Sequence, residues 1–131
     1  MIIPKFRVYD KSTKCMSNVE AIVYTEKRVY PFYSKVVRRY IPFEECVLMQ
    51  STSLKDKNGK EIFEGDIVKY KAGCNTFTEE VTYDKNFAGF GVRDANADII
   101  FTFWELAEDI DLISLEVVGN KYENPELLKG E

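Results

Sequence analysis

Histidine is missing from this chain altogether. Its absence removes the commonest general base, the Ser-His and Cys-His nucleophile pairs, and imidazole as a metal ligand. Cysteine is scarce. Cys15, Cys46 and Cys74 are far apart and odd in number, with no Cys-x-x-Cys pair. That pattern supports neither a zinc site nor a redox motif, and small disulfide scaffolds use more cysteines in even counts. No apolar run approaches the roughly 18 residues of a membrane helix. The opening MIIPKFRVYD lacks an apolar core with basic flank and cleavage site, so no signal peptide is expected. The expectation is a reduced, intracellular protein with no membrane contact, no metal and no cofactor.

What is present is globular. At 131 residues the chain is long enough for one domain, and 45% hydrophobic with 31% charged residues is not a disordered composition. Charge is unevenly spread. Residues 1–50 carry nine Lys/Arg against five Asp/Glu, whereas residues 51–131 carry nine against seventeen. The chain as a whole, at −4, does not attract nucleic acid, but its first part is locally basic.

The patterning is that of strands. Lys5–Tyr9, Val19–Tyr24, Arg28–Tyr30 and Glu45–Met49 are rich in β-branched and aromatic residues and are bounded by polar clusters. Lys11–Lys14 reads as a hairpin connection, and Pro31 and Pro42 confine their strands to ends or edges. Asn58-Gly59 predicts a type I′ hairpin, and Gly65 a positive-φ turn into Ile67–Tyr70, with Asp66 accepting backbone hydrogen bonds. Further strands are predicted near 77–83, 87–93, 97–101 and 115–118. Thr102-Phe103-Trp104-Glu105 fits a capping box that opens a helix through Ile110. Asn124-Pro125 fits an N-cap with proline at the first helical position, opening a short turn to Leu128.

Together these elements predict a mainly β protein. Residues 1–50 form an N-terminal meander or arm. Residues 51–131 form a small barrel with a C-terminal helical turn, giving one or two short helices in all.

No catalytic constellation emerges. Asp56-Lys57-Asn58-Gly59 lacks the spacing of a calcium loop, and Gly89-Phe90-Gly91 lacks the third glycine and the helix of a phosphate loop. The carboxylates Glu105, Glu108, Asp109, Asp111 and Glu116 read as a solvated surface. An enzyme working through lysine or carboxylates is the weakest of three functional readings.

Three blocks carry a family likeness: Ile3–Asp10 with Lys14 and Met16; Leu54–Tyr70; and Glu116–Leu128. In this order they resemble the YopX family of small phage and prophage proteins. Tyr9, Ser53 and Lys121 depart from the residues common there, and 17–43 and 72–114 match no pattern. The resemblance implies an SH3-like barrel for the β fold. It also implies phage or prophage origin and a place in the host-cell cytoplasm. It implies no activity.

The remaining candidate is a surface. Residues 24–40 hold Lys27, Arg28, Lys35, Arg38 and Arg39 against one acid, Glu26, interleaved with Tyr24, Tyr30, Phe32, Tyr33 and Tyr40. Charge set among flat rings suits a single-stranded nucleic acid. It equally suits an acidic protein surface, another copy's acidic half included. Solvated charge is the plainer reading. The expected binding residues are Lys27, Arg28, Tyr30, Tyr33, Lys35, Arg38, Arg39 and Tyr40. The leading functional reading is a non-enzymatic interaction module that self-associates or binds a host or phage protein. The alternative is a nucleic-acid-binding small barrel acting in phage replication or regulation.

Overall fold

The structure, a computed structural model, describes residues 3–32, 39–94, 99–103 and 114–128. It is mainly β, in two antiparallel sheets. The chain divides into two compact units, Met1–Ser51 and Thr52–Glu131.

In unit 1, β1 (Phe6–Asp10), β2 (Cys15–Val23), β3 (Arg28–Pro31), β4 (Ile41–Pro42) and the start of β5 (Cys46–Lys55) pair in the order β4-β3-β2-β1-β5. The alternation read in the first strands has its cause in a single small core. Val8, Val29 and Ile41 are fully buried, with Val19, Phe43, Cys46 and Leu48 packed against them. The Lys11–Lys14 connection is a turn whose last residue takes positive φ, with Asp10 Oδ1 accepting from the Ser12 amide at 2.9 Å. Proline ends β3 and β4, as its missing amide donor requires.

In unit 2, the end of β5 is followed by β6 (Glu61–Phe63) and by a five-stranded sheet. Its strands are β7 (Asp66–Ala72), β8 (Asn75–Asp84), β9 (Gly89–Asp94), β10 (Ile99–Thr102) and β11 (Glu116–Asn120), in the order β10-β9-β8-β7-β11. Ile62, Val68, Tyr70, Val81, Val92, Phe103 and Leu115 form the core. Among the described residues the order ends on β10 and β11, so these ladders make an open sheet rather than a closed barrel.

Two local expectations change. Gly59 has φ of +81°, but Asn58 is not in the left-handed region, so the turn is not type I′. Instead the Gly59 amide donates to Asp56 O and the Asp56 amide to Lys60 O, a longer loop ending in a left-handed glycine. Asp56 drives this choice, because its Oδ1 accepts from both Asn58 and Lys60 amides. At the C-terminus, Pro125–Leu128 is a 3-10 turn, but Asn124 does not cap it with its side chain. That side chain accepts from the Asn120 amide at 3.2 Å instead. Thr102 ends β10 and Phe103 is helical directly after it, where the capping box puts the helix start; the expected continuation to Ile110 lies outside the described residues.

Candidate functional site

Of the expected binding residues, Lys27, Arg28, Tyr30, Arg39 and Tyr40 are described, whereas Tyr33, Lys35 and Arg38 lie outside the described residues. The site builds from β3. Strand alternation places Val29 and Pro31 in the core and leaves Arg28 and Tyr30 together on the other face. Pairing of Arg28 with Pro42 and Val29 with Ile41 then brings the preceding residue, Tyr40, alongside. The Arg28 guanidinium carbon lies 4.0 Å from the Tyr40 ring centroid, a cation–π stack. The Tyr30 and Tyr40 rings are 6.1 Å apart and tilted by 47°.

The turn before β3 adds the acid. The Lys27 amide donates to Tyr24 O at 3.2 Å and Lys27 takes φ of +54°, which sets Glu26 beside the strand. Glu26 Oε1 lies 3.9 Å from Arg28 Nη1 and accepts from the Tyr30 hydroxyl at 3.3 Å. Interaction with the Tyr30 hydroxyl is the main influence raising the Arg28 pKa. Partial desolvation opposes it, and Tyr40 and Glu26 add to it. Tyr24 stands 71% exposed beside this turn, packed edge-on against Phe43.

Next to the cluster is a cleft of about 470 Å³ lined by Glu20, Tyr30, Pro31 and Arg39. Glu20 was not foreseen as part of the surface. It falls where the β2–β3 register shifts between Val19 and Ala21, and such a bulge re-aims a side chain. Nothing in the sequence marks that position, because a bulge depends on the partner strand.

Unit 2 holds a second concavity, about 610 Å³, lined by Thr52, Leu54, Phe87, Ala88, Gly89, Phe90, Thr102 and Phe103. Its two threonines leave little polar chemistry, since the Thr52 hydroxyl already bonds Ile62 O and the Leu54 amide. Within unit 2 the buried Tyr70 hydroxyl donates to Glu79. Burial raises both pKa values. The shared bond raises Tyr70 further and opposes the rise at Glu79, where Asp94 adds to it. Among the described residues no group of three or more Cys, Asp and Glu is placed to hold a metal ion. Cys15, Cys46 and Cys74 are in no disulfide. No helix among the described residues is long and apolar enough to cross a membrane.

The segments that carry the family likeness have structural tasks. Asp56, in the central block, accepts the Val117 amide of the C-terminal block at 2.9 Å. The Lys121 amide donates to Gly65 O at 2.8 Å. The buried Asp66 accepts the Phe63 amide at 2.8 Å.

The family model described as YopX protein matches residues 5–129. The crystal structure of protein EF1440 from Enterococcus faecalis is 31% identical, covers 98% of this chain and 99% of its own, and superposes with a TM-score of 0.68. The crystal structure of protein yopX from Bacillus subtilis is 22% identical, with coverage of 95% and 97% and a TM-score of 0.60, and supports the fold. No curated protein matches the chain. With its central and C-terminal family blocks joined to one another in unit 2 and the family model running through nearly all of its length, the chain belongs to the YopX family.

Proposed function

We propose that this protein is a non-enzymatic phage or prophage accessory protein. It works in the host cytoplasm as a protein-interaction module, through the Arg28, Tyr30, Arg39 and Tyr40 surface of unit 1. The observation that carries this reading is the stacking of Arg28 on Tyr40 beside Glu26. An arginine seated over an aromatic ring loses little side-chain freedom on binding a partner, which suits arginine to anchoring protein interfaces. A base-stacking platform needs open ring faces. Here Arg28 occupies one face of Tyr40, and the exposed ring of Tyr24 packs edge-on against Phe43 rather than forming a stack with Tyr30 and Tyr40. The geometry therefore favours an acidic polypeptide over a nucleic acid, and an oligomer of this chain is one such complex, since residues 51–131 are strongly acidic.

The test is the double reversal Arg28→Glu with Arg39→Glu. Light scattering at tens of micromolar and single-stranded oligonucleotide binding are compared with the unaltered protein. The reading expects an oligomer whose mass falls in the variant. A monomer that binds the oligonucleotide, and loses it in the variant, overturns this reading in favour of nucleic acid. A folded variant that keeps both its mass and its binding removes this face from the function.

A further inference from the structure

We propose that Glu26 is a built-in stand-in for a partner's carboxylate, and that Arg28, Tyr30 and Tyr40 receive an Asp or Glu side chain of an acidic polypeptide that displaces it. This inference rests on the protein-interaction reading above and adds the chemistry of the partner and a means of regulation.

The geometry of Glu26 motivates it. One carboxylate oxygen faces both Arg28 Nη1 and the Tyr30 hydroxyl, so the chain itself records which group this pair accepts. Both contacts are loose. At 3.9 and 3.3 Å they are longer than the roughly 2.7–2.9 Å of a well-made charge-assisted bond. Glu26 is half-exposed and rides on a turn rather than a strand, so releasing it breaks no ladder pairing. An incoming carboxylate free to choose its approach can meet the guanidinium edge with two parallel bonds, which Glu26 at 3.9 Å does not. Tyr40 beneath the guanidinium holds that edge in place.

The surroundings extend the match. Tyr30 is shared between this cluster and the cleft lined by Glu20, Pro31 and Arg39. A polypeptide whose carboxylate sits on Arg28 thus lays its next residues toward Arg39 and against the apolar Pro31. Charge complementarity points the same way. Segment 24–40 carries five basic residues against Glu26 alone, and of these Lys27, Arg28 and Arg39 are described, with Glu20 the one further acid at the cleft. Glu26 then sets a threshold: weakly acidic surfaces do not displace it, while strongly acidic ones do.

The experiment uses the full chain and a fluorescein-labelled peptide of ten glutamates, followed by anisotropy at low salt. Glu26→Gln is expected to tighten peptide binding by about threefold or more, and Arg28→Gln to weaken it by about tenfold. Glu44→Gln makes the same change in net charge nearby and is the control. Equal gains from Glu26→Gln and Glu44→Gln overturn displacement and leave only general electrostatics. Peptide binding lost in Arg28→Gln but unchanged in Glu26→Gln overturns this inference while sparing the interaction reading. No peptide binding by the unaltered protein or by Glu26→Gln overturns both. A ten-residue oligothymidylate that gains more than the peptide from Glu26→Gln overturns the carboxylate preference. Thermal melts of each variant confirm that it is folded.

Discussion

Asp56 gathers three backbone amides on one carboxylate: Asn58 and Lys60 on Oδ1 and Val117 on Oδ2. Burial alone raises its pKa, yet the three amides with Lys60 more than offset this and hold the carboxyl below its ordinary value. A single side chain therefore shapes the turn before β6 and ties it to β11, sixty-one residues on. Asp56→Ala is expected to cost about 3 kcal/mol, at roughly 1 kcal/mol for each lost bond, read from urea melts at neutral pH. The sign of the pH effect follows from the depressed pKa. The stabilisation is complete above the unfolded carboxylate pKa, about 4, and is lost as pH falls through the lower folded value. The gap between Asp56 and Asp56→Ala should thus narrow in acid; a gap that widens there would contradict the assignment.

At the scale of elements, the β9–β10 pair depends on one missing side chain. A Cβ on Gly91 would lie 2.1 Å from Phe101 O and 2.6 Å from Thr102 Cα, both backbone atoms of the neighbouring strand. Gly89, two residues earlier, would meet nothing closer than 3.8 Å. Gly91→Ala is therefore expected to destabilise by about 2–3 kcal/mol or more, whereas Gly89→Ala stays within about 0.5 kcal/mol of the original, measured by chemical denaturation. Equal costs at the two positions would show that β10 does not pack this closely. The sequence shows two glycines here but not which of them meets a neighbouring strand, since that depends on register with β10. Strands such as β1 and β3 were legible because their alternation has a local cause, one face buried and one not. The turn at Asn58-Gly59 was misread because dipeptide preference ignores the side chain of Asp56, which selects the longer loop. The same limit applied at Asn124, whose oxygen has a better-placed donor in the Asn120 amide than in the turn it precedes.

At the scale of the whole molecule, the family blocks and the candidate surface fall in different parts of the chain. Asp56, Asp66, Gly65 and Val117 join segments of unit 2 to each other, so the residues most recognisable in sequence serve the scaffold. The basic and aromatic surface belongs to segment 24–40, where the sequence showed no family pattern but did show its charge. Composition singled out Arg28, Tyr30 and Tyr40 as candidates; only the β3–β4 pairing explains why they meet. Composition did not show that Glu26 occupies Arg28 and Tyr30, because that contact arises from the left-handed Lys27 in the turn between them. The central claim is that this surface recognises acidic polypeptide rather than nucleic acid. Ten glutamates and a ten-residue oligothymidylate carry about the same charge, so comparing them removes the general electrostatic contribution. The direct measurement is their affinity for the unaltered protein at one low salt concentration. The account predicts that the peptide binds about tenfold more tightly and that Arg28→Glu abolishes it. Tighter binding of the oligonucleotide, or peptide binding indifferent to Arg28→Glu, would contradict it.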